Sequence, residues 1–581
     1  MKIPGSPDER EAFYWDIVTR CLVSRQDRRA HYDRLRNYFL FGCAPESSQA
    51  LFNKINSHMD QLTAFLFAAD TTRFAIRLGA GVDKATQLPM ARPLVSRLND
   101  KWEDSNSDII FSNAVTWSLV YDSMFVKLIQ RGSETMPFLV ESANFGVLRE
   151  DVPMLDRQEA FVHVFFTTKD QLRRDLDLHP KKEILLARLA ASRKMESELP
   201  AGVQRIIMST LYPLAGQMTG NAPAPLANED IYRPRTSEEL VEMYELWLWD
   251  DGVASEDKKR QRMGGYRCVT LADPSICIYD RLAYDPESKD GRQMFLQGEH
   301  PFTQICPNPA YDYFWGYSEV QKLTRLQDQR EHHMSQATEL VDRNVNPPKA
   351  SKGMWGAVDE KNLALQKMNA LISSTADPTA EVKEFKPSVP SDLWQLVDRD
   401  DAMFDQASAL TNISMGRGEV GVRSKGQTDS LMRAASARPK KRALIIEDSL
   451  ERLATLYVKL DKAHNKDPMM SEPLDDGQKA EPFLAAQFTD DFMAKVDAHS
   501  SSPGFMEQQT DEVLAMFDRG IVDGDAVLDV MHPQNIQALK IQYKRMQEAR
   551  QEQAARQEAL QKAEAAGKIA GKIGGGAGGV S

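Results

Sequence analysis

A glycine-rich stretch, "GVRSKGQT" at 421–428, comes within one residue of the phosphate-binding pattern G-x-x-x-x-G-K-[ST]. Gln427 stands where the pattern has a lysine that reaches the β- and γ-phosphates, and glutamine cannot supply that charge. A phosphate-binding loop also follows a buried strand, whereas the preceding residues, "ASALTNIS", contain no run of Val or Ile. We therefore interpret the stretch as a flexible loop, and keep a P-loop-like motor subunit as the alternative.

Other residues with chemical potential lack the partners that catalysis or metal binding needs. His332 and His333 are adjacent, so on a helix they point about 100° apart and cannot easily share one metal. The carboxylate pairs at 400–401 and 490–491 have no defined partner for general acid–base catalysis. No G-x-S-x-G, H-E-x-x-H or kinase-like motif set is found. We predict no catalytic residue, metal or cofactor, and no enzymatic activity.

Composition narrows the class of protein further. The 581 residues carry a net charge of −12, which argues against a protein that coats nucleic acid through general basicity. Five cysteines without a C-x-x-C pair predict reduced core thiols in a cytoplasmic setting. The sequence shows neither an apolar run of about 20 residues nor a secretory pattern, so we expect no membrane contact. A basic cluster indicates a solvated face or a partner site, with nucleic-acid contact as the alternative: Arg433, Arg438, Lys440, Lys441 and Arg442.

Elements that would position such residues alternate between helical and β-rich regions. The first ninety residues indicate helices, one of them with Ser48 as its N-cap and an apolar stripe of Phe52, Ile55, Met59, Leu62 and Leu66. Another apolar helix is predicted from about Asn113 to Gln130. The runs "PFLVES", "FVHVFF", "LVEMYELWLWDD", "YRCVTL" and "SICIYDRLAY" then indicate strands, so the middle third is α+β.

The second half is predicted to contain long helices of unusual polarity. Ser318 caps a helix to about Arg343 that is almost entirely polar between positions 326 and 334, as expected if it bridges solvent or packs beside charged copies of itself. A small α+β stretch with the strand-like "AEVKEFK" follows, and then an acidic helix capped by Ser391. After the glycine-rich loop a long helix is predicted to kink or break at Pro439, and the C-terminal part to be helical.

The order of these parts resembles the portal, or head–tail connector, proteins of tailed bacteriophages, especially short-tailed ones. The similar stretches are "RRAHYDRLRNYFLFG" with "FNKINSHMDQLTAFLFAADTTRF", "EELVEMYELWLWDDG", "HPFTQICPNPAYDYFWGYSEVQKLTRLQDQREHHMSQATEL" and "KGQTDSLMRAAS". Together they cover about residues 10–465, and beyond Lys466 only helical character is similar.

The resemblance implies an α+β, mainly helical portal fold that forms a ring, typically of twelve subunits, at one capsid vertex. Its parts would be a wing at 1–316, a first stem helix at 317–344, a clip at 345–388, a second stem helix at 389–411, a tunnel loop at 412–426, a long kinked wing helix at 427–465, a helical crown at 466–566 and a disordered tail at 567–581.

Roles for particular residues and partners follow from the same resemblance. The DNA-facing residues of the tunnel loop would be Arg417, Glu419, Val420, Arg423 and Lys425. The stem would line the channel with Asp398, Asp401 and Asp405 and would pair between subunits through Arg330 and Glu331. The clip would bind partners through a surface that includes Trp355 and Lys361. Expected partners are copies of the chain, double-stranded DNA held without sequence preference, the terminase large subunit, head–tail adaptor or tail proteins, and capsid and scaffold proteins. The chain would reside in the virion, and in the host cytoplasm during assembly. A different virion protein, such as a head–tail adaptor, stays open as a further alternative.

Overall fold

The computed structural model describes most of the first two thirds of the chain and parts of the rest. Described are residues 3–188 with gaps at 5, 46–49, 51, 68–71, 132–133, 177–178 and 180, and then 240–254, 263–272, 276–282, 296, 299–345, 349–351, 361, 371–372, 382–384, 391–408, 437–472, 480–496, 513–519, 524, 527, 542–543, 545–546 and 556. The chain divides into two compact units, Met1–Val496 and Asp497–Ser581. All elements numbered below belong to the first unit.

Three helices open the chain, as predicted: α1 (Pro7–Cys21), α2 (Arg25–Phe41) and α3 (Lys54–Leu66). The predicted stripe on α3 is confirmed, since Ile55, Met59, Leu62 and Leu66 are fully buried, although Phe52 before the helix is half exposed. The N-cap of α3 is Asn53, whose side chain accepts a hydrogen bond from the Asn56 amide. Ser48, the predicted cap, lies outside the described residues.

The prediction of helices throughout the first ninety residues missed one strand. Strand β1 (Phe74–Leu78) precedes helix α4 (Lys84–Asp104) and pairs antiparallel with a strand that ends at Val496. Its partner lies more than four hundred residues away, so no local pattern could reveal the pairing.

A second correction falls at the end of helix α5 (Ser107–Tyr121). The apolar helix expected to continue to Gln130 stops at Asp122, which has a positive φ of 86°, and Met124–Arg131 form strand β2 instead. A short apolar run does not by itself distinguish a buried helix from a buried strand. Strand β2 is central in a three-stranded sheet, between β3 (Glu134–Val140) and a later strand, 302–305.

The predicted β-rich middle third is confirmed and forms an antiparallel sheet of five strands in sequential order. They are β4 (Phe145–Val147), β5 (Ala160–Thr168), β6 (Leu240–Ala254), β7 (Met263–Ala272) and β8 (Ile276–Leu282), with helix α6 (Lys169–Asp175) after β5. Val162, Leu246 and Val269 on one face pack against α1. The opposite face carries an aromatic cluster that includes Phe161, Trp247 and, from β9 (Phe302–Ile305), Phe302.

Charge is also buried beside this aromatic cluster. Lys127 of β2 and Glu245 of β6 form an ion pair, and both side chains are 6% exposed. Trp247 Nε1 donates to the second Glu245 oxygen at 2.7 Å. The two sheets are therefore joined by a buried, hydrogen-bonded charge as well as by apolar packing.

Two long helices follow the aromatic segment, at the positions that the sequence predicts. Helix α7 (Glu319–Val345) begins after Ser318, whose hydroxyl accepts the Gln321 amide at 3.1 Å, so the predicted cap is confirmed. Helix α8 covers Ser391–Ser408. Between them lie β10 (Lys349–Ser351), β11 (Leu371–Ile372) and β12 (Val382–Glu384); the strand predicted in "AEVKEFK" is confirmed as β12, which pairs antiparallel with β10.

The long helix predicted after the glycine-rich loop is described as α9 (Ala437–His464), with Pro439 near its described start. The kink or break expected at Pro439 stays a prediction. Three short strands follow, β13 (Met469–Met470), β14 (Pro482–Phe483) and β15 (Phe492–Val496). The expectation that residues 466–566 are helical is therefore wrong over this part. A helix at 513–518 is described in the second unit, and the predicted tail at 567–581 lies outside the described residues.

Contacts between α4 and the residues after α9 explain why 469–496 belong to the first unit. Pro93 inside α4 has no N–H, which leaves the Pro89 carbonyl without its helical donor. The Glu472 amide supplies that hydrogen bond at 2.9 Å, and the Gly79 amide donates to Asp491 O at 2.9 Å. Residues 466–496 are thus attached to β1 and α4 through backbone groups.

Candidate functional site

Helices α7 and α8 lie side by side in opposite directions and form a helical hairpin. Arg330 of α7 contacts Asp401 of α8, whereas Arg343, further along α7, shares a groove with Asp392 at the start of α8. Strands β10 and β12 connect the far ends of the helices. At about 1.5 Å per residue, α7 is about 40 Å long.

Charged and polar side chains hold the hairpin together. Arg330 Nε donates to Asp401 Oδ1 at 2.7 Å, and Gln329 Nε2 donates to Asp400 Oδ1 at 3.0 Å. The other Asp400 oxygen lies 2.6 Å from His333 Nδ1, and Asp400 is 1% exposed. The buried carboxylate of Asp400 therefore has hydrogen-bond partners on both oxygens, and part of the polar character of α7 is used within the chain.

The base of α8 is attached to α3 by a lysine. Lys54 Nζ lies 3.1 Å from Asp401 Oδ1 and 2.8 Å from Asp405 Oδ1. Burial opposes ionisation of Asp401, but hydrogen bonds from Arg330 and Lys54 outweigh it and lower the pKa of its carboxyl. Asp401 is therefore ionised at neutral pH, and its charge is balanced inside the subunit.

These contacts bear on the roles expected for three stem residues. Arg330 is buried and forms an ion pair with Asp401 of the same chain, and its expected pairing between subunits stays a prediction. Asp401 and Asp405 both contact Lys54, and their side chains are 37% and 30% exposed, so their channel-lining role stays a prediction. Asp398 is exposed, and it remains a candidate for that role.

The base of α7 is attached to α9 through a second buried carboxylate. Glu319 is fully buried, and its Oε2 lies 2.9 Å from Arg442 Nη2, 2.9 Å from Lys322 Nζ and 3.2 Å from Asn308 Nδ2. Arg442 belongs to the basic cluster seen in the sequence, and its Nε also donates to Asn308 Oδ1 at 3.0 Å. Lys440 and Lys441 of that cluster are exposed.

His58 of α3 is buried beside the attachment of α8, where its ring meets Phe404 edge-on with 5.9 Å between ring centroids. It is 5% exposed, and burial lowers its pKa to about 4, so the ring is neutral at pH 7. The charges of Glu319 and Arg442 act on it, as do those of Lys54 and Asp405. Sequence reasoning missed His58, Lys54 and Glu319 because each acts through residues distant in the chain.

Most of the residues predicted for the tunnel loop and the clip are not among the described residues. Arg417, Glu419, Val420, Arg423, Lys425 and Trp355 lie outside the described residues; Lys361 is helical and exposed. Glu331 is half-buried on α7. Their roles stay predictions, but both ends of the segment that holds the loop are described, at Ser408 and Ala437.

Two further features of the described residues bear on the kind of site. Within the described part of the chain, no cluster of three or more His, Cys, Asp or Glu side chains has the geometry to hold a metal ion. The helices described above include none that is long and apolar enough to cross a membrane.

Comparison with solved structures gives a weak likeness to a virion particle. No family model and no curated protein matches the sequence. A solved structure titled "Virion of native gene transfer agent (GTA) particle" aligns over 85% of this chain and 91% of that chain, with 9% identity and a TM-score of 0.38. A TM-score of this size does not establish a shared fold.

Proposed function

We propose that this chain is a virion structural protein and, more specifically, a portal subunit whose ring conducts DNA into and out of a capsid. The observation that carries the proposal is the α7–α8 hairpin: two long antiparallel helices held by charged contacts, connected at one end by a small sheet and attached at the other to an α+β body. Copies of such a hairpin placed side by side would give a tube with polar walls.

Polar helices suit this role for a physical reason. A channel that moves DNA must not bind it tightly, because basic walls would retain DNA through counterion release. The exposed carboxylate of Asp398 on α8 would repel phosphates from the wall. Arg417, Arg423 and Lys425 in the tunnel loop would contact phosphates transiently and without reading bases.

The P-loop-like motor remains the contrasting function, and the structure offers it little support. The last described element before the glycine-rich stretch is helix α8, not a buried strand. In the proposed function ATP is hydrolysed by a separate terminase bound at the clip, and tail or adaptor proteins later occupy the same end.

Deletion of 416–425 tests the role of the loop and separates these functions. The purified deletion variant should assemble like the wild type but package or retain less DNA, and neither protein should hydrolyse ATP. A variant that lacks the lysines and arginines only, Arg417→Ser/Arg423→Ser/Lys425→Ser, is the matched control for loop length. Normal packaging by the deletion variant would remove the loop from the proposal, and ATP turnover that depends on Gly426 or Thr428 would favour the motor.

A further inference from the structure

The α7–α8 hairpin has a groove along one flank, near the end that is far from the body. The groove has a volume of about 420 Å³, and its apolar lining comes from Leu340, Leu393 and Leu396. Its other lining side chains are polar: Gln336, Glu339, Arg343 and Asp392. Leu396 is 37% exposed, so this chain leaves part of the apolar lining uncovered.

The opposite flank of the hairpin carries an exposed tryptophan. Trp394 of α8 is 45% exposed, although tryptophan is highly buried on average. It is two positions from both Asp392 and Leu396, and at about 100° per residue it therefore lies across α8 from the groove. Val397, three positions further along, is buried, so Trp394 lies on the flank of α8 and not on its back. An aromatic side chain and an apolar groove thus occupy opposite flanks at the same height of α8.

The charges on α7 divide between the same two flanks. Arg343 lines the groove. Lys322 and Arg325 each lie eighteen positions before a groove-lining residue of α7, which is five turns of about 3.6 residues, so both belong to the groove flank. Asp342 is two positions from a groove-lining residue, and Glu331 lies about three turns before Asp342, so both fall on the other flank. Along α7 these cations therefore lie on the groove flank and these carboxylates on the tryptophan flank.

We propose that the groove of one copy of the chain receives Trp394 of the next copy, so that neighbouring hairpins meet groove flank to tryptophan flank. The leucines of the groove cover the indole ring, and Glu339 and Asp392 offer carboxylate oxygens to its N–H, which needs an acceptor when it is buried. The cations on one flank of α7 then face the carboxylates on the other flank of the neighbouring α7, which favours this pairing of flanks.

Two different surfaces meet in this contact, so it is heterologous. Such a contact repeats from copy to copy and generates a ring when the rotation closes. The inference rests on the proposed function for the ring around DNA, whereas the fit between tryptophan and groove follows from the two flanks of the hairpin.

Cross-linking between full-length chains tests the contact directly. Chains that carry Thr338→Cys, on the tryptophan flank, are mixed with chains that carry Gln336→Cys, in the groove, and treated with a short bis-maleimide. Both positions are exposed, and both substitutions leave Trp394 and the leucines intact. We expect cross-linked dimers well above the background that the native cysteines give in the wild type. Thr338→Cys mixed with Met154→Cys, an exposed position of the body, is the control and should give background only.

Sedimentation of the purified chain gives a second readout. Trp394→Ser should weaken association between copies at least about tenfold, because a buried tryptophan commonly dominates an interface, and Leu396→Arg should do the same by blocking the groove. Val23→Ser, at an exposed apolar position of the body, should associate like the wild type.

A mixture of the two defective chains distinguishes this contact from a symmetric one. Trp394→Ser keeps an intact groove and Leu396→Arg keeps an intact tryptophan, so together they should form dimers but nothing larger. Wild-type chains that stay monomeric or stop at dimers, association that does not depend on Trp394, or cross-linking at background level would overturn the proposal.

The outcomes also separate this contact from the portal function. Cross-linked assemblies that depend on Trp394 but retain no DNA in particles would leave the contact intact and would count against the portal function. Rings that form and retain DNA normally with Trp394→Ser would count against the contact alone.

Discussion

The buried ion pair between Lys127 and Glu245 gives the most exact prediction for the body of the protein. Both side chains lie between the two sheets and are almost without exposure, and Glu245 also accepts from Trp247. His163 Nδ1 is 3.8 Å from the same carboxylate, but burial lowers the pKa of the imidazole and leaves it neutral. Lys127 is therefore the cation that balances Glu245, and Lys127→Met removes it without removing much volume.

The expected cost follows from the state of the carboxylate. Burial opposes its ionisation, yet Lys127 and His163 together outweigh burial and lower the pKa of Glu245 from 4.5 to about 2. A difference of that size corresponds to about 3 kcal/mol in favour of the charged form in the folded state. Removing one partner of a buried pair commonly costs about 3–5 kcal/mol, because the other charge is left uncompensated.

Hydrogen exchange of the β6 amides measures this cost locally, which suits a chain that need not unfold in one step. Lys127→Met should accelerate exchange there roughly a hundredfold or more, because 1.4 kcal/mol corresponds to a factor of ten. The double variant Lys127→Met/Glu245→Gln should recover most of the loss, since the uncompensated charge is gone. Arg149→Met, which removes an exposed ion pair with Asp151, is the control and should leave exchange unchanged.

The dependence on pH has a definite sign. The folded pKa of Glu245 is below its unfolded value, so its contribution is full above about pH 4.5 and is lost as pH falls towards 2. In Lys127→Met the isolated carboxyl takes up a proton well above that range. The difference in melting temperature between wild type and variant should therefore narrow from pH 7 to pH 3. An unchanged gap, or a double variant that is no more stable than the single one, would refute the reasoning.

Three further substitutions test other parts of the fold. Gly316→Ala should lower the melting temperature by several degrees, because Gly316 has a φ of 78° and an added Cβ would lie 2.5 Å from Cys306 Sγ. Asp122→Asn should remove a pH dependence of stability. Burial raises the folded pKa of Asp122 above its unfolded value of about 3.9, so the stability of the wild type falls as pH rises from the unfolded to the folded pKa. An equal change of melting temperature with pH in wild type and variant would contradict this. Arg330→Glu should make protease cleave α8 faster, even at low protein concentration, because the new carboxylate lies against that of Asp401 within one subunit. A defect seen only in assembled protein would instead indicate a contact between subunits.

Local patterns in the sequence are sufficient to predict several helices and strands. Helix α3 has a full stripe at helical spacing, and Ser318 begins α7 with a side-chain cap, so each carries its own evidence. Strands β5 to β8 are rich in β-branched and aromatic residues and were predicted for that reason. Strand β1 was not predicted because its partner, β15, is distant in the sequence. The prediction of a helix as far as Gln130 was wrong because "MFVKLIQ" is apolar enough to form either a buried helix or a buried strand.

The site illustrates a different limit. The sequence shows correctly that α7 is polar and α8 acidic, but charge alone does not say which charges meet. Arg330 was expected to pair between subunits, and the fold brings Asp401 to it from the same chain. Glu319 and Arg442 are separated by more than a hundred residues, so their contact follows only from the packing of α7 against α9.

Electron microscopy of the purified full-length chain tests the central claim most directly. A portal subunit should assemble into rings of about twelve copies with a central hole, and the α7–α8 hairpins should surround that hole with Asp398 towards the channel. Discrete monomers, fibres, or rings in which the hairpins lie on the outside would contradict the proposed function.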